Sequence, residues 1–92
     1  MLKVNEYFDG HVKSIGFENK GPVSMGVMEV GEYTFGTAAP ERMTVVKGEL
    51  TVKLPGRIEW ETYGAGDSFE VPGESSFQVQ ITQTSAYLCE YL

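Results

Sequence analysis

The stretch Glu49-Leu-Thr-Val-Lys-Leu-Pro-Gly56 decides the fold class. On an extended chain Leu50, Val52 and Leu54 point one way and Glu49, Thr51 and Lys53 the other, until Pro55-Gly56 stops the run. A period of two is what a strand with one buried and one wet face requires. The same alternation recurs downstream. Phe77, Val79 and Ile81 oppose Ser76, Gln78, Gln80 and Thr82, and Tyr87, Cys89 and Tyr91 oppose Leu88 and Glu90. Gly16, Gly21-Pro22, Gly31, Ala39-Pro40, Pro55-Gly56, Gly64-Ala-Gly66 and Pro72-Gly73 cut the chain into short pieces of about five to ten residues. All 4 prolines fall in these breaks, where a missing backbone donor harms no ladder. No apolar stripe of helical period persists; at most Asn5-Glu-Tyr-Phe8 could make one helical turn. The expectation is all-β: a single domain over residues 1–92, a sandwich or barrel of short antiparallel strands, with no repeat and no linker.

Charge narrows the partners. The 92-residue chain carries 13 acidic and 7 basic side chains, a net charge of −6. Lys3, Lys13, Lys20, Arg42, Lys47, Lys53 and Arg57 are scattered. Nucleic acid and anionic membranes reward clustered cations, so neither is expected as a partner. The single cysteine, Cys89, cannot form an intramolecular disulfide, and nothing points to an oxidising compartment. Cys89 alternates with Tyr87 and Tyr91 and reads as a small core residue. The opening Met-Leu-Lys-Val-Asn-Glu is not a basic stretch followed by an apolar run, and no segment approaches the roughly 20 apolar residues of a membrane span. The expected location is the cytoplasm.

Two segments carry more than strand patterning. Gly31-Glu-Tyr-Thr-Phe-Gly-Thr37-Ala-Ala-Pro-Glu41-Arg-Met-Thr-Val-Val-Lys-Gly48 and Gly66-Asp-Ser-Phe-Glu-Val-Pro72-Gly-Glu-Ser-Ser-Phe77 resemble the two cupin motifs. The spacings from Glu41 to Gly48 and from Gly66 to Pro72 fit. Thr37, Ala39 and Phe77 stand where cupins carry histidines. One carboxylate without imidazoles holds no first-row metal usefully, and the only histidine, His11, lies near the N-terminus on what reads as the surface of the first strand. No metal is expected.

The segments Asn5-Glu-Tyr-Phe8, Val12-Lys-Ser-Ile-Gly-Phe17, Gly31-Glu-Tyr-Thr-Phe35, Met43-Thr-Val45, Phe69-Glu-Val-Pro-Gly73 and Tyr87-Leu-Cys-Glu-Tyr-Leu92 closely resemble, nearly end to end, the small pyrimidine/purine nucleoside phosphorylase family of short cupins. Glu90 departs from the basic residue of some relatives, so no role is assigned to it. The resemblance implies a cupin-like, jelly-roll barrel and phosphorolysis of both nucleoside classes to free base and pentose 1-phosphate. Inorganic phosphate would be the co-substrate, with no cofactor, and the resemblance to cupins implies a homodimer paired through an outer sheet.

Phosphorolysis needs a bound, aimed phosphate, tolerance of positive charge on the sugar, a hydrogen bond to the departing base and exclusion of water. None of these demands a metal. Lys13, inside the family-like Val12–Phe17 segment, and Arg42, beside the barrel glutamate, are the candidate phosphate ligands. Glu41, which cupin topology would turn into the barrel, is the candidate catalytic carboxylate, holding ribose hydroxyls and favouring oxocarbenium character. Phe77, Tyr87 and Tyr91 offer aromatic surface on which any base can stack, and Thr37 offers a hydroxyl to the sugar. A competing reading is a cupin that binds sugars or nucleosides without turning them over, since fold alone never proves activity. A metal-dependent cupin enzyme is a third, disfavoured by the missing ligands.

Overall fold

A computed structural model describes residues 2–92. The described chain is ten strands and no helix: β1 (Lys3–Tyr7), β2 (Val12–Glu18), β3 (Pro22–Met28), β4 (Gly31–Thr37), β5 (Glu41–Lys47), β6 (Glu49–Lys53), β7 (Glu61–Gly64), β8 (Ser68–Val71), β9 (Ser75–Ile81) and β10 (Ser85–Tyr91). They form two antiparallel sheets. One has six strands in the order β1-β2-β3-β10-β5-β8, the other four in the order β4-β9-β6-β7. Among the described residues no ladder joins the two sheets, so the barrel is two facing layers, open between them, rather than a closed ring of hydrogen bonds.

The alternation read from the sequence sets which face of each strand is inside. Leu50 and Val52 of β6, Phe77, Val79 and Ile81 of β9, and Tyr87 and Cys89 of β10 are all buried. Val12, Met28, Met43, Val45, Phe69 and Val71, like Tyr87 and Cys89, come from the large sheet and pack against the β6 and β9 residues. Each fully buried aliphatic or aromatic side chain contributes roughly 1.5–3 kcal/mol of transfer free energy, which offsets the conformational entropy of ordering short strands.

The chain changes sheet between consecutive strands at six places, among them the single residue between β5 and β6. That residue is Gly48, at φ +84, with Ser85 so close that a Cβ would overlap its side chain. Only glycine combines that backbone angle with that approach. Ser85 is 1% exposed, and its Oγ accepts a hydrogen bond from Glu49 N at 3.0 Å.

The one helical turn that the sequence allowed at most, at Asn5–Phe8, does not form. Asn5, Glu6 and Tyr7 pair with Ser14, Lys13 and Val12, because the open edge of β2 offers these residues a ladder, whereas one isolated helical turn fixes several dihedrals for a single bond. The chain then reverses through Phe8, Asp9 and Gly10, all at positive φ. His11 lies in this turn rather than on a strand, with Nδ1 3.1 Å from Glu29 Oε2.

Candidate functional site

The interior is not filled everywhere. Where the β2, β3 and β10 end of the large sheet faces β4 and β9, the inward positions carry small or polar residues: Ser14 on β2, Ser24 and Gly26 on β3, Cys89 on β10 and Glu41 at the start of β5. A sheet position facing the core without volume to fill it leaves space, and a cavity of about 120 Å³ results. Tyr7, Ser14, Ser24, Glu41, Met43, Tyr87, Cys89 and Tyr91 line it from the large sheet, and Phe35, Gly36 and Phe77 from the small one. The rings of Phe35 and Phe77 stack at 5.6 Å with 28° between their planes, making an apolar wall opposite the hydroxyls.

Tyr87 owes its placement to Gly26, its partner across the ladder. Its ring lies over the glycine so closely that a Cβ there would fall 2.6 Å from Cε1 and nearer still to Cζ and the hydroxyl. The ring thus lies along the sheet instead of filling the cavity, and its hydroxyl has Ser14 as side-chain partner. Burial pushes the phenol well above its ordinary range, so it acts as a neutral hydrogen-bonding group.

Among the described residues Glu41 is the one carboxylate lining the cavity. Burial raises its pKa, and a hydrogen bond donated by Cys89 Sγ to Oε1 at 3.5 Å opposes that rise only in part. The Cys89 thiol is itself pushed up to about 12, first by burial and then by the carboxylate beside it. It remains a thiol at neutral pH and is no nucleophile. The hydroxyls of Ser24 and Tyr91 lie 3.3 Å apart at the cavity's edge. Among the described residues no lysine, arginine or histidine lines the cavity.

Of the residues singled out from the sequence, Glu41, Phe77, Tyr87 and Tyr91 converge on this cavity and three others lie elsewhere. Lys13 is on the outer face of β2, 3.8 Å from Glu6. Arg42, next to Glu41 but on the opposite face of β5, reaches Glu70 at 3.2 Å. Thr37 is buried and committed to the backbone: its Oγ1 donates to Pro72 O at 2.7 Å and accepts from Ser75 N at 3.1 Å. Sequence reasoning missed Tyr7, Ser14, Ser24 and Gly26. Their signal was a small or polar residue at an inward position of a strand.

The metal positions of a cupin are not reproduced. Thr37 is engaged as above, Phe77 is apolar, and among the described residues no three His, Cys, Asp or Glu side chains group closely enough to hold an ion. The residues present do not fit a cupin metal, and no chemical step is derived through one. Among the described residues no helix is long and apolar enough to cross a membrane.

Comparison with known proteins agrees with this architecture. A protein of Shewanella frigidimarina described as an RmlC-like cupin superposes with a TM-score of 0.77 at 21% identity, over 98% of this chain and 82% of that one, which supports the cupin-like fold. A Vibrio parahaemolyticus protein of unknown function superposes at 0.97 with 59% identity, covering 100% of this chain and 99% of that one. A Photobacterium profundum protein named pyrimidine/purine nucleoside phosphorylase is 71% identical over the full length of both chains. The profile of the family described as pyrimidine/purine nucleoside phosphorylase matches residues 2–91. On those grounds the chain belongs to the pyrimidine/purine nucleoside phosphorylase family.

Proposed function

We propose that this protein is a pentosyltransferase that cleaves purine and pyrimidine nucleosides with inorganic phosphate, without a metal or organic cofactor. A phosphate oxygen forms a bond to C1′ while the bond from C1′ to the base nitrogen breaks. The bonding pair leaves with the base, which takes up a proton, and pentose 1-phosphate remains. The observation that carries the reading, beside family membership, is a half-buried carboxylate on the wall of a hydroxyl-lined cavity closed on the other side by stacked phenyl rings.

Each part has work to do. Ionised Glu41 accepts hydrogen bonds from sugar hydroxyls and favours the positive charge that develops at C1′, an interaction that strengthens as water is excluded. Phe35 and Phe77 present a face on which either base class stacks, which suits broad specificity. The cavity is smaller than the roughly 300–1,000 Å³ of ordinary ligand pockets. A contiguous groove of about 450 Å³ shares Tyr7, Ser24 and Tyr91 with it, and supplies room for the rest of a nucleoside and its phosphate.

The protein acts in this reading as a cytoplasmic homodimer. Its support is an apolar row across the outer face of the large sheet: Val4, Ile15, Met25 and Leu88 are successive ladder partners. Val4, Ile15 and Met25 are 68%, 43% and 38% exposed, with Val27 and Val46 alongside. A second copy presenting the same row buries both.

The test is incubation of metal-stripped protein with uridine, adenosine and guanosine, with and without phosphate, following free base and ribose 1-phosphate by chromatography. Phosphate-dependent release from both base classes, lost in Glu41→Gln, is expected. A second reading, a nucleoside-binding protein without turnover, is favoured by the lack of a cation among the described residues that line the cavity. It predicts nucleoside binding with no base released at any phosphate concentration.

A further inference from the structure

A phosphorylase must hold an anion, and among the described residues the cavity that would hold the nucleoside offers it a carboxylate and no cation. The nearest remedy lies in the groove that joins the cavity at Tyr7, Ser24 and Tyr91, which is also lined by Lys3. Lys3 pairs with Gly16, Gly16 with Ser24, and Ser24 with Cys89. These four residues form one row on the inner face of the large sheet. A Cβ on Gly16 would stand 3.9 Å from the Cβ of Lys3, so both positions open to the same side, and with no side chain at Gly16 nothing stands between Lys3 and Ser24 along that row.

Two strand spacings separate Lys3 from Ser24, roughly 10 Å at about 4.8 Å per strand, a gap that a lysine side chain and one phosphate ion fill together. Among the described residues no ion pair engages Lys3, whereas Lys13, Arg42 and Arg57 are each paired. Glu18 also lines the groove, together with Tyr91, and pairs with Pro22 at the end of β2, one inward position beyond Gly16.

Resting on the phosphorylase reading, we propose that Lys3, with the hydroxyls of Ser24 and Tyr91, forms the inorganic-phosphate subsite at the mouth of the cavity. The lysine supplies the charge and the two hydroxyls, 3.3 Å apart, donate to phosphate oxygens. Glu41 lies two strands beyond Ser24 on β5, with the Cys89 thiol between their side chains: Sγ donates to Glu41 Oε1 at 3.5 Å and also has Ser24 as a side-chain partner. The phosphate therefore enters on the Lys3 side of the two hydroxyls, and the sugar reaches Glu41 from within the cavity.

The test separates phosphate from nucleoside. Lys3→Gln and Ser24→Ala are each expected to raise the KM for phosphate about tenfold, with the KM for uridine within about twofold of wild type, and Lys3→Arg to retain the wild-type value. The phosphate KM of the wild type should climb with ionic strength, and that slope should flatten in Lys3→Gln, because a charge at the open mouth is screened by salt. A phosphate KM unchanged in either Lys3→Gln or Ser24→Ala overturns the subsite and leaves the phosphorylase reading standing. Direct phosphate titration by calorimetry distinguishes the converse. If wild type binds phosphate and Lys3→Gln does not, yet no base is released, the subsite stands and the phosphorylase reading fails.

Discussion

Gly26→Ala is the change that most directly tests how the cavity is made. A Cβ at that position falls 2.6 Å from Tyr87 Cε1, while ordinary contacts begin at 3.4 Å, so the near ring edge must retreat by 3.4 − 2.6 = 0.8 Å and the hydroxyl end by more. The ring is 5% exposed, and β10 is flanked by β3 and β5. Beside it lies the cavity of about 120 Å³. The ring must swing into the space the substrate needs and carry its hydroxyl away from Ser14. Overpacking of this kind costs about 1–3 kcal/mol, which in a domain this size lowers the melting temperature by roughly 4–8 °C per kcal/mol. Displacing binding groups by about 1 Å costs on the order of 10²-fold in rate. The assays are thermal unfolding followed by circular dichroism and kcat/KM for phosphate-dependent uridine cleavage. Gly26→Ala combined with Tyr87→Leu should recover the lost stability, because the ring is gone, but not the activity, because the hydroxyl is gone with it. If Gly26→Ala alone melts and turns over like the wild type, the ring does not lie where this reasoning puts it.

The remaining predictions concern charge, a committed hydroxyl and the outer face. Burial lifts the pKa of Glu41 above its ordinary 4.5, so the folded state holds that proton more tightly than the unfolded chain, and the stability it contributes at low pH is lost as pH rises through the raised value. Glu41→Gln, which carries no charge at any pH, should therefore match the wild type near pH 4 and melt increasingly above it as pH rises, until the carboxyl is fully ionised in both states. Melting curves at intervals from pH 4 to 8 check this, and the opposite trend would mean the carboxylate is stabilised in place. In the same range kcat/KM of the wild type should fall as pH drops through that value. Thr37→Val removes a donor to Pro72 O and an acceptor for Ser75 N and should cost about 1–3 kcal/mol in urea unfolding, with the KM values of both substrates unchanged; a raised nucleoside KM at normal stability would give Thr37 a substrate role instead. Met25→Asp places a charge in the middle of the outer apolar row and should halve the mass measured by light scattering while leaving the fold intact by circular dichroism. A dimer that survives it pairs through some other surface.

The layers were legible because alternation is a direct projection of the sheet: once Leu50 and Val52 face the core, Glu49 and Thr51 must face away. That logic also grouped Phe77, Tyr87 and Tyr91 with the apolar face of their strands, while the resemblance to cupins turned Glu41 inward. It went astray where charge was read without facing. Lys13 and Arg42 lie next to inward residues in sequence, and adjacency along a strand means the opposite face. Arg42 is therefore turned outward to Glu70 for the same reason that Glu41 is turned inward. Thr37, read as a hydroxyl for the sugar, is buried outside the cavity, its hydroxyl consumed by the backbone around Pro72 and Ser75, a contact between residues far apart in the chain that no local pattern encodes.

What alternation could have yielded is the cavity itself. Along β2 the inward positions read Val12, Ser14, Gly16, and along β3 Ser24, Gly26, Met28. Each run has one large apolar end and only serine and glycine beyond it, and because the strands are antiparallel with Val12 opposite Met28, the small ends coincide. A protein interior packs at nearly uniform density, so two neighbouring strands that both give up volume at the same place must leave a space for something that is not protein. The serines that line it were invisible to a search for charged and aromatic groups, and Gly26 would pass for an ordinary break in a strand. Its function is negative: by having no side chain it lets Tyr87 lie flat and keeps the space open. The residues that build this site are legible as missing core.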